Sequence, residues 1–319
     1  MNVLVVGGAG YVGGAVTELL QGNHNQRVYD ALLYEESYRK PVDFVYGDVR
    51  DTERLLPHLK WADAVIWLAA LVGDGACALN PEISVSVNQE PVKWLAQHYE
   101  GRIVFMSTCS VYGAQDYVLD ESSPTNPLSV YATTKLAAEE YLKTKNAIIF
   151  RLGTLFGVGD LFARIRLDLV VNTLTVRAHR QGRINVFSGD QFRPLLHVKD
   201  AARAAVDNLA TSITGVFNLA RQNVRIIDLA YQVRNHFPDL IVEQTPMKFQ
   251  DARNYRVSSE KAQKVLAFKS VYSIDDGIDE VRDLLESHRL KDVDNPRYTN
   301  QTFLSMFNTH RLIAGRSEP

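Results

Sequence analysis

The chain has 319 residues with 35 basic against 37 acidic side chains, a balance that excludes the basic face a nucleic acid or an anionic membrane would need. That length can build one large α/β unit or two lobes with a substantial shared core. Only Cys77 and Cys109 are present, without CxxC or metal-ligand spacing, so neither a disulfide framework nor a metal site is expected and a reducing cytoplasm fits best. No apolar run approaches a membrane span, and no basic region precedes an apolar segment at the start, so Met1–Val6 is expected to be a strand rather than a targeting segment. The expected partner is a small molecule.

Met1–Val6 is short, apolar and rich in β-branched residues, and it runs directly into Gly7-Gly8-Ala9-Gly10-Tyr11-Val12-Gly13. Ala15, Val16, Leu19 and Leu20 then carry helical spacing, so strand, glycine turn and helix follow in the order that lets helix amides hold a pyrophosphate. Both GxxGxxG and GxGxxG fit, with Gly7, Gly10, Tyr11, Val12 and Gly13 as candidate cofactor contacts. A second strand, 27–30, ends in Asp30, twenty positions after Gly10, where a carboxylate can accept both ribose hydroxyls of an adenosine. Asp30 argues for NAD, while Arg39 and Lys40 lie close enough to leave NADP open. After a third strand, 42–46, Asp48 and Val49 are candidates for adenine contact, with a helix N-cap role shared with Asp51 as the alternative for Asp48. A fourth strand, 64–68, ends at Leu68 and leads into Ala69 and Ala70, small residues that let the backbone pass close to a cofactor.

Helices are expected at 82–99 and 130–145, and strands at 102–106 and 147–152, continuing the alternation to about Gly157. Within the second helix, Tyr131 and Lys135 are four apart and share a face. A phenol beside an ammonium is acidified towards a pKa useful for general-base work. YxxxK alone is a weak signal, and Ser107-Thr108 at the end of the preceding strand strengthens it. Residues 160–192 place Arg164, Arg166, Asn172, Arg177, His179 and Arg180 around a helix, before a strand at 184–187. The segment 193–202 then reads as a return to the first lobe, with a helix to about Ala210 and a last substantial helix at 275–287. The tail from Lys291 to Pro319 is polar and expected on the surface or partly mobile. The expected fold is a Rossmann-type doubly wound parallel sheet with a smaller C-terminal substrate-binding lobe. The expected division is 1–157 with 193–212 returning to it, then 158–288, then a tail from 289 to 319.

As a combined pattern over roughly residues 1–288, the chain resembles the extended short-chain dehydrogenase/reductase family, in its nucleotide-sugar epimerase and dehydratase group. The resemblance is carried by GGAGYVG at 7–13, Asp30, DVRD at 48–51, LAA at 68–70, Asn88, STCSVYG at 107–113, YATTK at 131–135, RLGTLFG at 151–157 and RPLLHVKDAA at 193–202. It implies NAD as cofactor, a nucleoside-diphosphate sugar as substrate, and a homodimer through the helices at 82–99 and 130–145. It assigns Thr108 to the reacting sugar hydroxyl, Tyr131 as base, and Lys135 to the nicotinamide ribose and to acidifying Tyr131. It also adds Asn88 to the cofactor site. Arg193 and Arg253 resemble the family's pyrophosphate-binding arginines; Asn172 and Val72 are further substrate candidates, with Gly73 and Asp74 beside Val72. Arg164 or Arg166 is a candidate to join those substrate contacts, with a solvated face as the favoured alternative for both, and His197 is expected to be a satisfied core histidine.

One departure narrows the chemistry. The 4,6-dehydratases of the family carry an Asp-Glu pair after this threonine, whereas Cys109-Ser110 stands here, so elimination of water is not expected. Cys109 is read as a small buried residue. The expected activity is oxidation at C4 of the sugar, as a 4-epimerase or 4-dehydrogenase through a 4-keto intermediate. A 4-keto sugar nucleotide reductase and a non-catalytic NAD-sensing protein are the alternatives.

Overall fold

A computed structural model describes residues 1–245 and 254–306. In chain order the first part runs β1 Asn2–Val6, α1 Tyr11–Leu20, β2 Asn25–Asp30, β3 Asp43–Tyr46, α2 Thr52–Trp61, β4 Ala64–Trp67 and α3 Asp74–Ala78. It continues with α4 Pro81–Asn88, α5 Glu90–His98, β5 Arg102–Thr108, β6 Val118–Leu119, α6 Val130–Leu142 and β7 Ala147–Leu152. The remainder is β8 Thr154–Phe156, α7 Val170–Gln181, β9 Arg183–Phe187, β10 Phe192–His197, α8 Val198–Asp207 and β11 Gly215–Leu219. It closes with β12 Gln222–Arg225, α9 Ile226–His236, β13 Ile241–Thr245, β14 Arg256–Val257, α10 Glu260–Leu266, α11 Ile274–Glu286 and α12 Asn300–Met306.

Seven strands form a parallel sheet in the order β3-β2-β1-β4-β5-β7-β11. A parallel sheet needs helices on both faces, and β1 shows how its sequence meets that demand. Val3 and Val5 pack with Val16 and Leu20 of α1 and Ala201 and Ala205 of α8 on one face. Leu4 and Val6 pack with Leu55 and Leu59 of α2 and Val92 and Leu95 of α5 on the other. Strand order reverses between β1 and β4, which opens a crevice at their carboxyl ends, the ligand position of open α/β sheets.

A second cluster gathers Phe156, Val171, Leu174, Ile184, Leu195, Ile227, Leu229 and Ile278 from β8, α7, β9, β10, α9 and α11. The three-stranded sheet β12-β10-β8 lies within it, while β11 rejoins the large sheet beside β7.

Three local expectations change. The helix expected over 82–99 is two helices pivoting at Gln89, because Pro91 has no N–H and its ring crowds the carbonyl four residues back. The strand expected to end at Met106 continues to Thr108, carrying Ser107 and Thr108 to the sheet edge. The tail does not simply run over the surface: α12 docks Leu304 against Leu71, Cys77 and Ile83, and Phe303 against Tyr34, with ring centres 4.9 Å apart.

Candidate active site

The glycine turn builds the first wall. Gly7 has φ +87°, and a Cβ there would meet the Ala69 amide nitrogen at 2.4 Å, so the segment 68–70 lies directly against the turn. A Cβ on Gly13 would meet the Gly8 carbonyl oxygen at 2.5 Å, which fixes the close packing of α1 on the turn. Gly10 is the N-cap of α1 without a side-chain cap bond, so the positive end of the helix opens into the crevice. Tyr11 lines the same crevice, but its hydroxyl is committed to the Gly157 carbonyl at 2.7 Å and ties α1 to the second half of the chain.

This crevice, a cavity of about 230 Å³, is lined by Gly7, Gly10, Tyr11, Val12, Gly13, Asp30, Asp48, Val49, Leu68, Ala69, Ala70, Val72, Tyr131 and Lys135 of the expected residues. The Asp30 carboxylate accepts from the amides of Ala9 at 3.0 Å and Leu32 at 2.7 Å. Burial pushes its pKa up, and those two bonds oppose the shift. A carboxylate has about four acceptor positions, so capacity for ribose hydroxyls remains. Lys40 is held by the Gly14 carbonyl at 2.9 Å and by Asp160, and neither it nor Arg39 lines the crevice. The position therefore suits the unphosphorylated ribose of NAD. The α2 N-cap is Asp51, whereas the Asp48 carboxylate pairs with Arg50 at 2.6 Å. Burial would raise the Asp48 pKa, but the Arg50 bonds hold it low.

Asn88 requires a correction. It does not line the crevice: its amide clamps the Leu71 backbone, accepting from the N–H at 2.7 Å and donating to the carbonyl at 2.9 Å. It shapes the segment after β4 from behind.

A second cavity, of about 580 Å³, adjoins the first, and Tyr131 lines both. Ser129 starts α6 by accepting from the Ala132 amide at 3.2 Å and donates to Asp74 at 2.7 Å, which fixes where the helix presents Tyr131. Thr108, at the end of β5, lies near enough to the Tyr131 phenol to lower its pKa and accepts from the Ser110 amide at 3.1 Å, which is the turn-capping contact expected as its alternative role. Burial pushes the Tyr131 phenol well above its ordinary value; Cys77 and Asp74 add to this, while Arg166 and Thr108 pull it down. Arg166 is the protein cation that lowers it most. Lys135 is only 3% exposed and directs its ammonium over the Phe105 ring at 4.4 Å; burial pushes its pKa down to about 8, with Glu139 opposing.

The sugar side also differs from expectation. Arg193 on β10 lines the second cavity, as do Val72, Gly73 and Asp74. Arg253 lies outside the described residues. Asn172 is fully buried, accepts from the Gly157 amide at 2.9 Å and donates to the carbonyls of Gly157 at 3.0 Å and Arg166 at 2.8 Å, so it holds a turn and does not reach a substrate. Arg164 and Arg166 are not on a solvated face: both line the first cavity, and Arg166 also lines the second and pairs with Asp168 at 2.9 Å. Arg177, which the sequence places on this helix without a role, lines the second cavity with Val170, Thr173 and Leu174 at i, i+3, i+4 and i+7, a spacing the sequence displays.

His197 is a satisfied core residue, bonded to Glu280 at 2.9 Å and stacked on Tyr272. Cys109 is buried and donates to the Arg151 carbonyl at 3.1 Å; Ser110 lies 3.3 Å from the Tyr255 hydroxyl. No carboxylate stands at either position. Among the described residues no helix is long and apolar enough to cross a membrane.

The glycine cradle, the α1 N-terminus and the Asp30 carboxylate fit a dinucleotide, and comparison with known proteins agrees. The chain is 27% identical to a UDP-glucose 4-epimerase of Corynebacterium glutamicum over 84% of its length and 90% of that protein's. It is 29% identical to one of Halalkalibacterium halodurans over 85% and 91%. The structure of MoeE5 in complex with UDP-glucose and NAD superposes with a TM-score of 0.75 at 26% identity, covering 90% of this chain and 99% of that one. The UDP-glucose 4-epimerase of Thermotoga maritima gives 0.79 at 21% identity over 90% and 99%, a likeness of fold. The profile of the NAD dependent epimerase/dehydratase family matches residues 3–220, and the chain belongs to that family.

Proposed function

We propose that this enzyme is an NAD-dependent 4-epimerase of a nucleoside-diphosphate sugar, with a UDP-hexose as the first substrate to test. The observation that carries the reading is that Tyr131 lines both cavities, with Thr108 beside it in the second, so one phenol can serve a dinucleotide on one side and a sugar on the other. Bound NAD supplies the hydride acceptor and then the donor. Thr108 orients the C4 hydroxyl, and Tyr131, in the phenolate form that Arg166 and the positive nicotinamide of bound NAD would favour against burial, takes its proton as the C4 hydrogen leaves with its electron pair, giving a ketone. Reversal of these transfers on the opposite face of the sugar yields the epimer, with Tyr131 returning the proton. Lys135 supports the ribose of the nicotinamide half, and Arg166, Arg177 and Arg193 give the second cavity the positive charge a diphosphate calls for. A thiol bonded to the Arg151 carbonyl and a serine hydroxyl beside Tyr255 favour epimerisation over 4,6-dehydration, which needs an acid and a base at those positions.

The names of the curated relatives support the UDP-hexose choice. The direct test is incubation of the purified enzyme with UDP-glucose and, separately, UDP-galactose, followed by chromatographic analysis of the nucleotide sugars. Approach to a common mixture from both sides is expected, and an unchanged sugar in both arms, repeated with other nucleoside-diphosphate hexoses, would overturn the reading. We also propose a C2 homodimer through α4, α5 and α6, on which Trp94 and Tyr141 remain half-buried; sedimentation velocity tests it.

A further inference from the structure

We infer that Arg164 is a pyrophosphate-binding residue of the cofactor site and that the C-terminal segment, through Asn300, holds it in place. Arg164 lines the dinucleotide cavity although its residue is only 6% exposed, an expensive position for a guanidinium. Its plane lies over the Tyr34 ring at 3.3 Å, a stack that fixes its height in the cavity. One nitrogen, Nη2, is spent on Asn300 Oδ1 at 2.5 Å and on the Arg297 carbonyl at 3.2 Å. Among the described residues the buried Nε has no hydrogen-bond partner, and neither has the Tyr34 hydroxyl. Tyr34 and Arg164 both line the cavity, and buried donors are nearly always satisfied, so this unsatisfied pair points to a ligand acceptor.

The charge of that acceptor follows from the surroundings. Arg164 lies near enough to the Asp30 carboxylate to lower its pKa, which sets it beside the position expected for the adenosine ribose. The anionic group of NAD is its pyrophosphate, and a guanidinium fork matches phosphate oxygens.

Asn300 makes the arrangement specific to this chain's tail. It is 3% exposed and lines both cavities. Besides accepting from Arg164 it donates Nδ2–H to the Val72 carbonyl at 2.6 Å, and its backbone N–H donates to Asp168 at 2.9 Å. Arg297 pairs with Glu36 at 3.0 Å, so the tail joins the segments after β2, β4 and β8 that wall the cofactor cavity. A segment nearly 300 residues from the glycine turn is thereby part of the same site.

The test uses the full chain stripped of nucleotide and reads binding without any sugar, so its failure is separable from failure of the proposed epimerase activity. Arg164→Met keeps apolar packing on Tyr34 and removes the donors. NADH affinity, measured by fluorescence titration, should fall about tenfold or more, the scale of a lost charge-assisted hydrogen bond. Affinity for adenosine, which has no phosphate, should change by less than about twofold in competition with NADH. Should Arg164→Met not fold, Asn300→Ala leaves the arginine unbraced and should weaken NADH by about threefold or more with adenosine unaffected. NADH affinity equal to wild type in the folded variant, or equal losses for NADH and adenosine, would overturn the assignment.

Discussion

The Arg151 guanidinium grips the buried Glu139 carboxylate, with Nε and Nη2 at 3.1 and 2.7 Å, one turn along α6 from Lys135 and two from Tyr131. Ser107 bonds the same carboxylate. The three side chains tie the carboxyl ends of β5 and β7 to α6, which couples the strand bearing Thr108 to the helix bearing Tyr131.

Glu139→Ala should therefore cost stability as well as activity. It leaves the Arg151 charge buried without its partner, and about 3–5 kcal/mol is expected from denaturant unfolding. Glu139→Gln, which still offers an acceptor, should cost less. A loss under about 1 kcal/mol for the alanine variant would show the pair to be dispensable.

Tyr131→Phe removes the proposed base without opening space. Turnover should fall at least about a hundredfold while NADH affinity stays within a few-fold of wild type. Near-normal turnover would reassign the proton transfer.

The Lys135 ammonium gives a pH signature to the protein stripped of nucleotide. Its pKa is about 8 folded, below the ordinary lysine value near 10.4, so between those pH values the unfolded chain binds more protons than the folded one. That group's penalty is present below pH 8 and is relieved as pH rises through the window. Wild-type stability should consequently rise relative to Lys135→Met from pH 8 to 10. A difference between the two proteins that does not change with pH would contradict the burial argument.

Much of the cofactor half was legible because its signals are local. The turn 7–13 must be glycine-rich where Gly7 meets Ala69 and Gly13 meets Gly8, and Asp30 ends the strand beside it. The sugar half was less legible, because polar side chains there look alike until their partners are known. Asn172 reads as a ligand contact in sequence, yet the backbone of Gly157 and Arg166 consumes its amide. Arg164 reads as solvated, because nothing near it in sequence announces Tyr34 or Asn300. The break at Gln89 was visible in Pro91, whose missing N–H a helical periodicity does not register.

We propose that Asp30 sets the cofactor preference. With its carboxylate bonded to Ala9 and Leu32 and Lys40 engaged elsewhere, the enzyme should bind NAD more tightly than NADP, and Asp30→Ala should narrow the gap. Equal affinities in titrations of the wild type would show that the ribose lies elsewhere.

The most direct test of C4 oxidation and return follows the hydrogen itself. A cognate nucleotide sugar labelled with deuterium at C4 is incubated with the enzyme in ordinary water, and a parallel unlabelled reaction is run in heavy water. The account predicts that the label stays at C4 through epimerisation, that no solvent deuterium enters C3 or C5, and that NADH does not accumulate. Deuterium from solvent at C3 or C5, or a stoichiometric build-up of NADH with no epimer formed, would contradict it.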